Sequence, residues 1–441
     1  MSITHRLPKI PRRDFMRLAG CLGLPMAGWL PAFSEEVAKN PKRKRSCILL
    51  WMNGGPSTID LFDLKKHENG GPVKPIATTA PGLEISEYLP LLAKQMKHLS
   101  VVRSMSTKEG DHARATNYTR TGYLPQGSIQ FPSVGSLVAR ELADTKFELP
   151  SYVSITPFRG FSPAAFGPGF LGPRFAPLIV GENQFFAQNV ATEQLDAALK
   201  VKDLDRPETV TQVEALARLD ILKDLDEQFQ TDHPSFVGKS HQAAYERAVR
   251  LMESVGSKVF DLSKEKAEVL DRYGDNLFGR GCLLARKLVE QGVPFVEVSM
   301  TGWDTHAQNF NQVKQRCDTL DPAWAALMAD IQERGLLETT TIVWMGEFGR
   351  TPKINQGTGR DHYPNAWSAV LGGGGIKGGQ AIGKTSADGT TVESEPTSVP
   401  DFLATLCQAM GIDPGKQNLS NVERPIRIVD RVGKPIQALL S

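Results

Sequence analysis

Two side chains set two apart, Asp304 and His306 in the run Thr301-Gly302-Trp303-Asp304-Thr305-His306, put an oxygen donor and an imidazole directly after an apolar segment. In an extended loop, residues i and i+2 point the same way, so both can face one cation. That pair of donors suits Zn²⁺ or Mn²⁺. His362, in Gly359-Arg360-Asp361-His362-Tyr363-Pro364, follows another glycine-bearing loop and supplies a third ligand. Taken singly, each of these is an ordinary hydrogen-bonded loop residue. Asp and His recurring in polar loops just past apolar runs point instead to a site. Arg114 and Arg350 are candidates for a bidentate clamp on a phosphate or sulfate, with a structural ion pair as the alternative for each.

The elements that must hold these residues are legible as apolar runs. Cys47 to Met52 ends in Asn53-Gly54-Gly55-Pro56-Ser57, Pro294 to Met300 runs into the Asp304 loop, and Thr341 to Met345 runs into Gly346-Glu347-Phe348-Gly349-Arg350. Helical stretches, Leu277 to Gln291 and Ala323 to Leu337, precede the last two. Buried strands alternating with helices predict a parallel sheet covered on both faces. In such sheets the ligand site lies at the carboxyl ends of the strands, where Asn53, Asp304 and Glu347 fall. Between about Gly181 and Asp275 the sequence becomes charged and helix-forming, with Gln212 to Phe229 and His241 to Val255 at helical spacing, which predicts a helical insertion. Pro157 to Pro177, rich in Gly, Pro and Phe, reads as an irregular active-site wall.

Composition narrows the partners. In 441 residues, Lys+Arg 51 against Asp+Glu 49 leave a net charge of +2, so no global field draws nucleic acid. Five scattered cysteines, Cys21, Cys47, Cys282, Cys317 and Cys407, form neither a thiolate metal site nor a disulfide scaffold. At the start, Arg12-Arg13 stands two residues before Phe15 and an apolar stretch from Leu18 to Phe33 follows, which resembles a twin-arginine signal peptide. The expectation is a signal over residues 1–34, export in folded form through the Tat translocase, and a mature domain over 45–441 in the periplasm or outside the cell. The apolar stretch is too short for a stable transmembrane span. Leu18-Ala19-Gly20-Cys21 also looks like a lipoprotein box, with lipid anchoring at Cys21 the lesser reading.

The segment through Thr341 to Arg350 resembles the strand and metal loop of alkaline phosphatase superfamily enzymes. Val370 to Lys377 and Pro396 to Asp413 resemble sulfatase segments that follow the last metal histidine. Gly54 to Lys65, Gly302 to His306, Glu347 to Pro352 and Gly359 to His362 match the motifs of a group of exported bacterial proteins placed in that superfamily. The resemblance implies an α/β, alkaline-phosphatase-like three-layer sandwich with a mostly parallel central sheet. It also implies that Asp304, His306 and His362 ligate one metal, zinc first, with manganese or calcium as alternatives. For a second metal, Glu347 supplies a carboxylate, Phe348 replaces a histidine, Asn53 stands in place of an aspartate, and Asp60 or Asp63 would compensate. By the spacing of Thr121-Gly122-Tyr123-Leu124-Pro125, His112 falls at the nucleophile position, where it would act as nucleophile, ligand or general base. The alternative is an Asp111-His112 pair starting a helix. The expected function is hydrolysis of a phosphate or sulfate ester, small or polysaccharide, with Arg350 stabilising developing charge. A non-catalytic metal-bearing or carbohydrate- or assembly-binding protein is the other reading.

Overall fold

The computed structural model describes residues 45–144, 148–181, 194–201, 204, 206–233 and 236–441. The expected signal, residues 1–34 with Arg12, Arg13 and Cys21, lies outside the described residues.

Eight strands make the central sheet: β1 (Ser46–Met52), β2 (Leu99–Met105), β3 (Tyr152–Ile155), β4 (Leu178–Val180), β5 (Phe295–Met300), β6 (Thr340–Met345), β7 (Trp367–Gly373) and β8 (Ala381–Ile382). Their order across the sheet is β8-β2-β7-β6-β1-β5-β3-β4. β1 runs parallel to both β5 and β6, with Trp51 beside Ser299 on one side and Met345 on the other. β3 continues the parallel set between β5 and β4. Only β7 is reversed, antiparallel to β6 and β2. The sheet is therefore mostly parallel, as its apolar runs imply, and the carboxyl ends of β1, β5, β6, β2 and β3 share one edge.

Alternation along β1 shows why helices cover both faces. Ile48, Leu50 and Met52 enter one core cluster with Cys282, Leu283 and Leu284 of α5 (Leu277–Glu290) and Leu320, Trp324 and Leu327 of α6 (Asn309–Glu333). Cys47, Leu49 and Trp51 enter the opposite cluster with Leu137 and Val138 of α2 (Val134–Leu142) and Phe402, Leu403 and Leu406 of α7 (Val399–Ala409). Each fully buried side chain of this size contributes about 1.5–3 kcal/mol relative to exposure. Two such layers around one sheet are the observed three-layer architecture.

Local signals set the helix ends. Ser398 and Asp401 form a reciprocal capping box at the start of α7. Asp111 caps α1 (His112–Thr121), and Gly122 ends it in a left-handed conformation. α6 differs from expectation: it begins at Asn309, not Ala323, and runs through Pro322. Tertiary contacts override the local cost of proline. Asp321 beside it accepts from the backbone of Leu91 and Leu92, while Leu320 and Trp324 are fully buried.

Within the stretch expected to be a helical insertion lie α3 (Gln212–Asp232) and α4 (Phe236–Glu253). Val213, Ile221, Leu225 and Phe229 of α3 are exposed. Among the described residues, no helix is long and apolar enough to cross a membrane.

Candidate metal centre

Asp304 leaves the carboxyl end of β5 on a short loop, His306 follows it, and His362 lies on a two-residue strand paired with Gly349–Arg350 just past β6. His112 opens α1, beyond β2. Segments that are distant in sequence thus meet at one sheet edge. Close backbone approach explains two of the glycines. A Cβ at Gly54, whose φ is +110°, would sit 2.5 Å from the Asp304 amide nitrogen, and one at Gly359 would sit 1.9 Å from the His306 carbonyl oxygen. Either methyl would force the loops apart.

Three imidazoles surround the Asp304 carboxylate. His306 Nε2 lies 3.1 Å and His362 Nε2 3.3 Å from Asp304 Oδ1, and the two Nε2 atoms lie 3.0 Å apart. His112 Nε2 lies 3.4 Å from Asp304 Oδ2. His112, Asp304 and His362 also converge as a set of cation-ligating atoms. Each ring is oriented by an acceptor on its far nitrogen. His306 Nδ1 donates to Asp361 Oδ1 at 2.9 Å, His362 Nδ1 to the Gly110 carbonyl at 2.8 Å, and His112 Nδ1 to Glu347 Oε1 at 2.7 Å. Carboxylates and carbonyls only accept, so the proton of each neutral ring sits on Nδ1 and the lone pair on Nε2. In their neutral form the three rings therefore aim Nε2 lone pairs at another acceptor. That arrangement is satisfied only by a proton or a cation placed between ring and carboxylate.

The spacing fits an ion. A tetrahedral site with bonds of about 2.0–2.1 Å has ligand–ligand edges of about 3.3 Å, close to the 3.0–3.3 Å triangle formed by His306, His362 and Asp304. Outer partners that lock the tautomer are the usual companions of histidine ligands. Glu347 Oε2 and His112 Nε2 are buried without a hydrogen-bond partner, a further sign that a polar occupant belongs beside them. The site opens where Asp304 and His306 are exposed, and Glu347 closes its floor with a fully buried side chain.

Charge follows from this packing. Burial by itself would lower the His112 pKa, but the facing carboxylates of Asp304 and Glu347 push it up to about 9, so a proton takes the cation's place on this ring when no cation is bound. Burial would raise the Asp304 pKa, yet His112, His362 and Arg350 hold it well below the usual carboxylate range.

The structure redistributes several of the expected roles. Arg350 is fully buried and commits its guanidinium to the carbonyls of Gly54, Gly55 and Arg360 and to Asp304 Oδ1 at 2.5 Å. It fastens Asp304 to the Gly54–Gly55 loop, which leaves little of it to clamp a substrate anion. Arg114 points to Glu109, with Nε to Oε2 at 2.6 Å and NH2 to Oε1 at 3.0 Å, outside the imidazole cluster. Asp60 is likewise elsewhere: Arg360 holds both its oxygens at 2.8 and 2.9 Å, and Ser57 and Asn309 complete its shell. Asp63 is occupied by Lys65 and Thr385. Asn53 receives the Trp51 indole on Oδ1 at 2.8 Å. Phe348 is fully buried, its ring 5.0 Å from His112 and 4.6 Å from His362. A second cation would therefore find only the spare oxygen of Glu347. At the head of α1, Asp111 is the cap, accepting from the Arg114 amide at 3.0 Å, and the His112 side chain is left to the cluster.

Sequence reasoning passed over Asp361, although it stands next to His362 in the Gly359–His362 motif, and that adjacency was the available signal. It also passed over Phe161. From the stretch read as a site wall, this ring lies flat on His112, with centroids 4.1 Å apart and an interplanar angle of 6°.

The sequence profile of a family described as "Protein of unknown function (DUF1501)" matches residues 44–440. No curated protein matches. Among solved structures, the chain is similar to the lipoteichoic acid synthase LtaP from Listeria monocytogenes, at 10% identity over 87% of this chain and 78% of that one, with a TM-score of 0.38. It is similar to the PsFucS1 sulfatase from Pseudoalteromonas sp., at 13% identity over 91% and 72%, TM-score 0.37. It is also similar to a protein in the alkaline phosphatase superfamily from Vibrio parahaemolyticus, at 10% identity over 88% and 76%, TM-score 0.40.

Proposed function

The chain belongs to the DUF1501 family, and we propose that it is an exported, metal-dependent hydrolase of a phosphate or sulfate ester, built on an alkaline-phosphatase-like α/β domain with a helical insertion at about 181–275. One observation carries the chemistry: three imidazoles locked through Nδ1 present Nε2 to a single carboxylate at 3.1–3.4 Å. Asp304, His306 and His362 would hold one divalent cation, zinc first, with His112 as a further ligand. The motifs shared with the alkaline phosphatase superfamily supply the ester class. When bound, the cation polarises the ester oxygen and lowers the pKa of an attacking water.

The chain's own residues do the rest. Asp361, Glu347 and the Gly110 carbonyl keep the three protons on Nδ1. Arg350 holds Asp304 in place. Phe161 and Phe348 pack against His112 and keep water from that side, so substrate enters over the exposed edge of Asp304 and His306. Among the described residues, no Ser, Thr or Cys side chain bonds to Asp304 or the three imidazoles, which favours water as the nucleophile and gives His112 the role of ligand. The same feature is what a non-catalytic binding protein with this fold would display, so activity must be measured beside metal.

The test is metal analysis of the purified protein together with a screen of phosphate and sulfate esters. At least one divalent ion per chain is expected, lost in Asp304→Ala and His306→Ala, with ester turnover that disappears in the same variants. Full metal content in both variants rejects the site; bound metal with no turnover on any ester selects the binding reading. The proposal of export rests on Arg12-Arg13 and the apolar stretch after them. Replacing both arginines with lysine is expected to leave the precursor in the cytoplasm, and its accumulation in the periplasm would remove the Tat assignment.

A further inference from the structure

A hydrolase of anionic esters needs a donor for the oxyanion, and the arginines nearest the centre are already engaged. Arg350 is held by three carbonyls and Asp304. Arg360 is bound bidentately by Asp60. Arg120 is fully buried on Glu297 and Tyr152. Arg114 is paired through two bonds to Glu109. The loop after β3 carries one that is not. Arg159 is exposed, and among the described residues it holds no hydrogen bond or ion pair.

This loop is fixed to the centre rather than loosely attached. Thr156, in a left-handed conformation with φ of 49°, starts it. The Thr156 amide donates to Val180 at 2.8 Å, and its hydroxyl donates to the Ser299 carbonyl on β5 at 3.1 Å. A non-glycine residue at such a φ is strained and persists only when its surroundings impose it. Phe158 meets Phe161 edge-on at 4.9 Å, and Phe161 lies flat on His112 at 4.1 Å. Gly160 is required between them, because a Cβ there would come within 2.5 Å of the Phe158 ring. Two residues of chain place the Arg159 backbone at most about 7 Å from that of Phe161. A long guanidinium side chain is thus tethered beside the ring that covers His112, and no carboxylate among the described residues pairs with it.

We infer that Arg159 is the anion-recognising residue of this centre, taking two non-bridging oxygens of a tetrahedral phosphate or sulfate group presented at the Asp304–His306 edge. The inference rests on the metal-centre reading above. A guanidinium fork matches such an oxyanion bidentately, which an ammonium does not.

The experiment is calorimetric titration of inorganic phosphate, and separately of inorganic sulfate, into the full-length zinc-loaded protein, with zinc content measured in every sample. Arg159→Gln is expected to weaken binding of the preferred anion by about 10- to 100-fold, and Arg159→Lys by less, with zinc content and melting temperature unchanged because the side chain is exposed. The preferred anion identifies the ester class. Binding by Arg159→Gln within twofold of the parent overturns the assignment and leaves the metal centre standing. So does a zinc-loaded parent that binds neither anion. A parent that takes up no zinc overturns the metal centre itself, and this inference falls with it.

Discussion

Asp60 and Asp304 each meet a buried arginine, yet their surroundings are opposite in kind. Around Asp60 every neighbour is a donor: Arg360 twice, Ser57 at 2.6 Å and Asn309 at 2.8 Å, with the Asp60 and Arg360 side chains fully buried. Around Asp304 one arginine is outnumbered by three imidazole nitrogens, and 42% of the side chain remains exposed. A carboxylate enclosed by donors is complete and serves the fold. A carboxylate faced by imidazoles whose Nδ1 protons are already committed is incomplete, and a proton or a cation must sit between them. Charge alone would not separate the two; the direction of the neighbouring protons does.

Breaking the closed arrangement should cost most. Asp60→Ala leaves the fully buried Arg360 guanidinium without a counter-ion, held only by the carbonyls of Thr351, Pro352 and Asn69, so we expect a loss of about 3–5 kcal/mol in denaturant-induced unfolding. Asp304→Ala should cost far less stability, because the Asp304 side chain is 42% exposed and the site is open to water. If the two variants lose equal stability, the contrast between the regions fails.

Changing an outer partner of the open arrangement should give a smaller, selective effect. Asp361→Asn keeps the size of the side chain that orients His306 and removes its charge. Competition with a chelator should show metal affinity falling by about 10- to 100-fold, while unfolding stability stays within about 0.5 kcal/mol of the parent. An unaltered metal affinity would mean that the His306–Asp361 contact does not tune the centre.

The smallest effect belongs to the arginine–carboxylate pair in neither region. Arg114 is 57% exposed where it meets Glu109, and solvent screens such an exposed pair. Arg114→Ala should therefore leave the unfolding midpoint and the metal content essentially unchanged. A drop in metal on this substitution would return Arg114 to the centre.

These contrasts separate what was legible in the chain from what was not. The apolar runs of β1, β5 and β6 and the polar loops after them could be read directly, since buried parallel strands need continuous apolar sequence and their carboxyl ends carry the ligands. That places Asn53, Asp304 and Glu347 at one edge from the sequence alone. The caps at Asp111 and Ser398 and the glycine at 122 are local too, because each acts on backbone within a few residues. The first part of α6, before the expected Ala323, is not local in this sense: Pro322 disfavours a helix there, and Asp321 beside it is held by the backbone of Leu91 and Leu92, 230 and 229 residues away.

By itself, then, the sequence determined the strand and helix types, the layering and the residues available for metal chemistry. Which arginine meets which carboxylate was decided only by the tertiary structure. Asp60 finds Arg360 across 300 residues, Gly54 finds Arg350 across 296 and His112 finds Glu347 across 235. Residue type records that a side chain can donate or accept. Whether its partner is a donor that completes it, or another acceptor that leaves room for a cation, depends on through-space distances of about 3 Å, which only the packed loops at the sheet edge define.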